Sequence, residues 1–261
     1  MIENPYPNSW KDLQSCVCRL FRDIGLTAET EKILETPRGT AEIDVYAVDE
    51  KSVDQIKYLV ECKNWESAIP QTVVHSFTTV MHEVGANIGF IVSQKGLQSG
   101  ALAYTQNTNI IGLTYEEFQF RYFQVWYKRY FIPQIGNAVD SLAQYVEPIN
   151  SYRDRQINAL SDDKKSSFIL LSKRYQNLGM FMAFLLVAPE HPLLLGISPY
   201  PSIDELKNSF RKELGDEFNF SSIYYRDLLA EILSKIMSIT NQYNEIFGRD
   251  IFLGREYFFQ L

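Results

Sequence analysis

Two short runs of alternating apolar residues, 40–47 and 56–63, restrict this chain more than any other stretch. In Thr40-Ala-Glu-Ile-Asp-Val-Tyr-Ala47 the alternation predicts a strand with Ile43, Val45 and Ala47 on one side and Glu42, Asp44 and Tyr46 on the other. In Ile56-Lys-Tyr-Leu-Val-Glu-Cys-Lys63 the same period puts Glu61 and Lys63 on one face and Val60 and Cys62 on the opposite one. Paired as neighbouring strands, the two runs bring Asp44, Glu61 and Lys63 to one place.

Withdrawing two carboxylates and an ammonium from water costs on the order of several kcal/mol unless something binds them. A divalent cation is a natural solution, and Mg²⁺ suits the donors: it takes one or two carboxylates, keeps several waters and accepts phosphate oxygens. A lysine beside it can orient the attacking water and offset charge on the pentavalent phosphate. The pattern therefore points to phosphodiester hydrolysis. The other reading of Glu-x-Lys is a solvated strand face. The context speaks for a site, because the strand is apolar, a Gly-led turn (Thr36-Pro-Arg-Gly39) precedes the aspartate strand, and a helix-strand-helix-strand series follows.

Gly39-Thr-Ala-Glu-Ile-Asp44, followed 61 − 44 = 17 positions later by the glutamate of Val60-Glu-Cys-Lys63, resembles the core motif of the PD-(D/E)xK nuclease superfamily. Within it the chain is most similar to the Mrr-like type IV restriction endonuclease domain. Supporting segments are Trp10 to Gly25 as opening helix, Ala86-Asn-Ile-Gly-Phe-Ile-Val-Ser93 as fourth strand, Ala101 to Asn109 as last helix and Ile110-Ile-Gly-Leu113 as closing strand. The likeness covers residues 8–118. It implies an α/β restriction-endonuclease-like core, a mixed central sheet flanked by helices. It also implies a Mg²⁺-dependent deoxyribonuclease, with Mn²⁺ as substitute and RNA left open as substrate, acting in restriction or antiphage defence.

Carried over residue by residue, the resemblance gives Asp44 and Glu61 as metal ligands, the Cys62 carbonyl as a further ligand, and Lys63 as the residue that positions water. A polar residue of the next helix assists in this family, and Gln71 has that place here. Gln14 stands where relatives often carry a glutamate. An amide still hydrogen-bonds but adds no charge, so one metal or two is left open.

With 261 residues, 46% of them hydrophobic, the chain is long enough for one large domain or two small ones. A net charge of -7 excludes a general basic coat for nucleic acid, so contact must be local or metal-mediated. Cys16, Cys18 and Cys62 form no disulfide framework and no zinc pattern, which leaves buried thiols in a reducing cytoplasm. The start, Met1-Ile-Glu-Asn-Pro, lacks the basic and apolar regions of a secretory signal. No phosphate-binding glycine loop or nucleophile triad signature is present.

Ser9 is expected to cap a helix over Leu13, Val17, Leu20 and Phe21, and residues 27–35 to form the first strand. Val73, Val74, Phe77, Val80, Met81 and Val84 form the stripe of a second helix; His75 and His82 show no ligand spacing. The expected organisation is a nuclease domain over 1–118, an aromatic-rich linker over 119–133 broken by Pro133, and an all-helical accessory domain over 134–261. In that last part Pro148 should end a helix, Ser161 start one reaching Val187 before Pro189 and Pro192, Ser202 open a capping box, and Leu228 to Ile246 line a final long helix. No run there is long enough for a membrane span. The helical part suits a homodimer contact, an effector or a defence-system partner protein. The alternative from another class is a non-hydrolytic module that binds nucleic acid or protein, with the helical part regulating it.

Overall fold

Ser9 opens the first helix by accepting a hydrogen bond from the Asp12 amide at 3.1 Å, which satisfies a free N–H of the first turn. In the computed structural model, which describes residues 1–191 and 198–253, this helix α1 runs Trp10–Asp23. The chain divides into two compact units, Met1–Arg129 and Tyr130–Leu261.

In the first unit the strands are β1 (Thr27–Thr36), β2 (Gly39–Asp49), β3 (Ile56–Lys63), β4 (Ile88–Ser93) and β5 (Ile110–Thr114). Helices α2 (Gln71–Glu83), α3 (Ser99–Thr105) and α4 (Tyr115–Trp126) complete it. The sheet order is β1-β2-β3-β4-β5; β1, β2 and β3 pair antiparallel, while β3, β4 and β5 pair parallel. The mixed sheet follows from connection length: a short turn joins β1 to β2, whereas β3 reaches β4 only through the crossover helix α2. This is the expected restriction-endonuclease-like architecture.

Both faces of the sheet are covered. On one, α1 buries Leu13, Val17, Leu20 and Phe21. The Phe21 ring meets Tyr58, Phe90, Phe118 and Tyr122 at centroid distances of 5.4 to 6.3 Å. On the other, Leu59, Ile91 and Ile110 pack against Val74, Phe77 and Met81 of α2 and Ala101 of α3. Each buried leucine, isoleucine or phenylalanine contributes about 1.5–3 kcal/mol, which explains the continuous apolar run of β4. Gly89 lets α2 approach closely, since a Cβ there would lie 2.7 Å from Phe77 Cε1 and 2.8 Å from Met81 Sδ.

Over 119–133, where a linker was the expectation, the chain is helical through α4, a π-helical turn (Tyr127–Phe131) and the start of α5 (Ile132–Val146). Thr114 and Glu117 form a capping box at α4. Its aromatic residues serve packing: Trp126 is fully buried and donates to Asp23 at 2.9 Å. Pro133 does not break the helix, because it occupies the first turn, where no amide is required.

The second unit continues with α6 (Ser151–Asn158), α7 (Asp162–Arg174), α8 (Leu178–Val187), α9 (Ile203–Leu214) and α10 (Tyr225–Phe247), with no strand among its described residues. Glu147 takes an extended conformation before Pro148 and ends α5. The helix expected from Ser161 to Val187 is two, because Tyr175 leaves helical geometry, is buried, and donates to Glu217 at 3.1 Å. The Ser202 capping box forms as expected. Along α10, Leu228, Ile232, Ile236, Ile239 and Tyr243 are buried, and Tyr243 stacks on Tyr145 at 4.9 Å. Pro192 lies outside the described residues. Among the described residues no helix is long and apolar enough to cross a membrane.

Candidate active site

Pairing between β2 and β3 runs from Asp49↔Ile56 to Val45↔Val60 and stops there. At the next position the Asp44 side chain stands in for the ladder. Its Oδ2 accepts the Cys62 amide at 2.7 Å and its Oδ1 accepts Gln14 Nε2 at 2.9 Å. Trp10 Nε1 lies 3.5 Å from Oδ2. Cys62 sits between Glu61 and Lys63, which form an ion pair with each other. The hydrogen bond to the Cys62 amide therefore joins Asp44 to the segment that carries the other two charged residues. Gln14 comes from the inner face of α1, where it is buried, and helical spacing places Trp10 one turn before it on the same side.

Burial pushes the Glu61 carboxyl above its ordinary value; the Lys63 hydrogen bond opposes this and the Asp44 charge adds to it. Burial likewise pushes the Cys62 thiol well up, reinforced by the charges of Asp44 and Glu61. That thiol is an apolar filler beside two carboxylates, not a nucleophile.

Glu61 and Lys63 open onto a cleft whose other walls include Glu42 and Ile43 of β2 and Thr72 and Ser76 of α2. Ile43 overturns one expectation. It does not share a face with Val45 and Ala47, but packs with Leu59, Val74 and Phe77 under α2, whereas Val45 pairs with Val60 on the opposite face. The alternation of β2 is broken at Asp44.

Gln71 is not a wall of this cleft. Its Nε2 lies 3.1 Å from His75 Nε2, and its Oε1 is close to Gly100 of α3. The polar α2 residues that line the cleft are Thr72 and Ser76, four apart and hence on one side of the helix. That spacing was the available signal. Glu42 and Trp10 also stand at the site, although the sequence pattern marks them only as a strand position and a helix start. On the other flank, Lys63 Nζ lies 5.9 Å from the centroid of the partly exposed Trp65 ring. Among the described residues no three or more His, Cys, Asp or Glu side chains converge as a metal-holding group.

A family model described as restriction endonuclease, the Mrr catalytic domain, matches residues 7–119. No curated protein matches the chain. Among solved structures, AF1548, a protein of unknown function, aligns at 13% identity and a TM-score of 0.37 over 91% of this chain and 99% of its own. The family match over residues 7–119, under half of the chain, and the mixed five-stranded sheet are together consistent with an Mrr-like restriction endonuclease domain of the PD-(D/E)xK fold in that part of the chain.

Proposed function

We propose that this nuclease domain hydrolyses phosphodiester bonds of DNA with a divalent cation, Mg²⁺ or in its place Mn²⁺, held by Asp44 and Glu61. The observation that carries the reading is the hydrogen bond from the Cys62 amide to Asp44 Oδ2, which ties the aspartate to the strand segment bearing Glu61 and Lys63. The donor set fits the ion: two hard carboxylates and the Cys62 carbonyl leave the remaining positions to water and phosphate oxygens, as Mg²⁺ prefers. Two carboxylates with a raised tendency to hold a proton at Glu61 also gain from a nearby dication. Bound there, Mg²⁺ supplies Lewis-acid stabilisation of the phosphate and makes water a better nucleophile.

The chain's own residues do the rest. Gln14 donates to one Asp44 oxygen and fixes the direction of the carboxylate. Lys63 holds Glu61 in line and carries a positive charge to the side of the cleft where negative charge grows on the phosphate. Thr72 offers a hydroxyl along the opposite wall for a phosphate oxygen, whereas the Ser76 hydroxyl donates to the Thr72 carbonyl at 3.1 Å and would have to turn from it to do the same. The helical unit serves a homodimer contact or a partner in defence against foreign DNA.

The test is cleavage of supercoiled plasmid, methylated and unmethylated, with Mg²⁺, Mn²⁺ or EDTA, comparing wild type with Asp44→Ala and Lys63→Ala. Cutting that needs metal and disappears in both variants is the expected result. A folded, metal-loaded wild type that cuts neither plasmid, linear DNA nor RNA would refute it and favour a module that binds without hydrolysis.

A further inference from the structure

Glu31, in the middle of β1, has φ +54°, the left-handed region that non-glycine residues rarely enter. The pairs on either side, Thr30↔Val45 and Lys32↔Ile43, keep one register and leave Glu31 opposite Asp44. Both strands change faces at that point. In a regular strand residues three apart project to opposite sides. Here Ile43 and Tyr46 pack on the same apolar cluster, and Glu29 and Lys32 close an ion pair at 2.6 Å. A β-bulge would set two residues against one and shift the register. The register is unchanged, so the switch alters the side of the sheet and not the count.

The consequences reach the site. Past the switch β2 has parted from β3, and the Cys62 amide, without a backbone partner on β2, is taken by Asp44 Oδ2. The same departure leaves Glu42 and Ile43 on the cleft wall with Glu61 and Lys63.

We infer that the left-handed backbone of Glu31 sets the Asp44 carboxylate, so that Glu31 is a positioning residue acting through its φ angle and not through its side chain. The inference rests on the reading of Asp44 as a site carboxylate. The Glu31 side chain meets Lys11 at 3.5 Å in an exposed ion pair, a contact of little weight. Left-handed backbone is open to glycine and asparagine, costs alanine more, and opposes a β-branched residue most.

The experiment replaces Glu31 by Gly, Asn, Ala and Val. It follows plasmid cleavage with Mg²⁺ and, in metal-free protein, hydrogen exchange of the Cys62 amide. Gly and Asn should keep kcat within about twofold, Ala should be lower, and Val should fall about 10–100-fold at unchanged KM, the effect of a misplaced reacting group. The Cys62 amide should exchange slowly in wild type and in the Gly and Asn variants, and faster in the Val variant. Equal kcat and equal exchange across the series would overturn the inference. Equal loss in all four would do so too, by assigning the effect to the carboxylate. Exchange needs no turnover, so a wild type that cuts nothing refutes the nuclease reading while the exchange order still decides this one. If the Val variant does not fold, the Ala and Gly pair carries the same comparison.

Discussion

Gln14 Nε2 donates to Asp44 Oδ1 at 2.9 Å from a buried position on α1, so an uncharged amide faces the aspartate where a carboxylate would have repelled it. Gln14→Glu should therefore destabilise the metal-free protein by roughly 3–5 kcal/mol, the size of an uncompensated buried charge. Added Mn²⁺ should raise its melting temperature more than that of wild type. Calorimetry with and without Mn²⁺ checks both; a Gln14→Glu protein as stable as wild type and equally insensitive to the ion contradicts the assignment.

Gly89→Ala should cost about 1–3 kcal/mol, because the added methyl would stand 2.7 Å from Phe77 Cε1 and 2.8 Å from Met81 Sδ, and these side chains of α2 must shift to admit it. Since α2 carries Thr72 and Ser76, cleavage should fall along with stability. Urea melts and plasmid cutting on the same preparation test the coupling; a melt unchanged from wild type would show that the helix yields freely.

In the helical unit, Glu217 accepts from Arg174 at 3.0 Å, Lys235 at 3.0 Å and Tyr175 at 3.1 Å. Burial alone would raise its carboxyl, but the bonds from Arg174, Lys235 and Tyr175 hold it below its ordinary value. A depressed folded value means that this stabilisation is complete above the unfolded glutamate value and is lost as pH falls through the folded one. Glu217→Gln should cost about 1–3 kcal/mol near neutrality, with the gap from wild type closing in acid. Denaturant melts across that pH range measure it, and a gap that widens in acid would have the wrong sign.

All three cysteines are buried and free. Burial, helped by Glu3, pushes Cys16 to about 12; burial also raises Cys18 and pushes Cys62 well up. Thiolate is the reacting form, so a disulfide reagent should titrate almost nothing in the native protein and three thiols after denaturation. A fast native reaction would place at least one thiol at the surface.

Much of this architecture was legible from period and capping alone. Leu13, Val17, Leu20 and Phe21 mark α1, the two alternating runs mark β2 and β3, and Ser202 marks α9. What periodicity could not convey is a break in the period. Ile43 has the parity of Val45, yet a left-handed residue on the neighbouring strand sends it to the other face. Tyr175 fits a continuous helical stripe, yet its bond to Glu217, far along the chain, favours a bend there. Aromatic residues from 118 to 131 read as a link because rings suit many settings; only the Phe21 contacts and the Asp23 bond to Trp126 show that α4 is core. Gln71 and Thr72 pose the same kind of choice: spacing alone does not say which of two adjacent polar residues a helix presents to the cleft, and the Gln71 amide lies 3.1 Å from His75 Nε2.

The three tryptophans are divided in a way that makes the protein its own optical probe. Trp126 is sealed from water, whereas Trp10 and Trp65, at 38% and 43% exposure, stand beside Asp44 and Lys63. Ultraviolet emission should thus consist of a blue component that soluble quenchers leave untouched and a red, quenchable one. The red component should change whenever an ion or a nucleotide strand enters the cleft, so occupancy can be followed without a label.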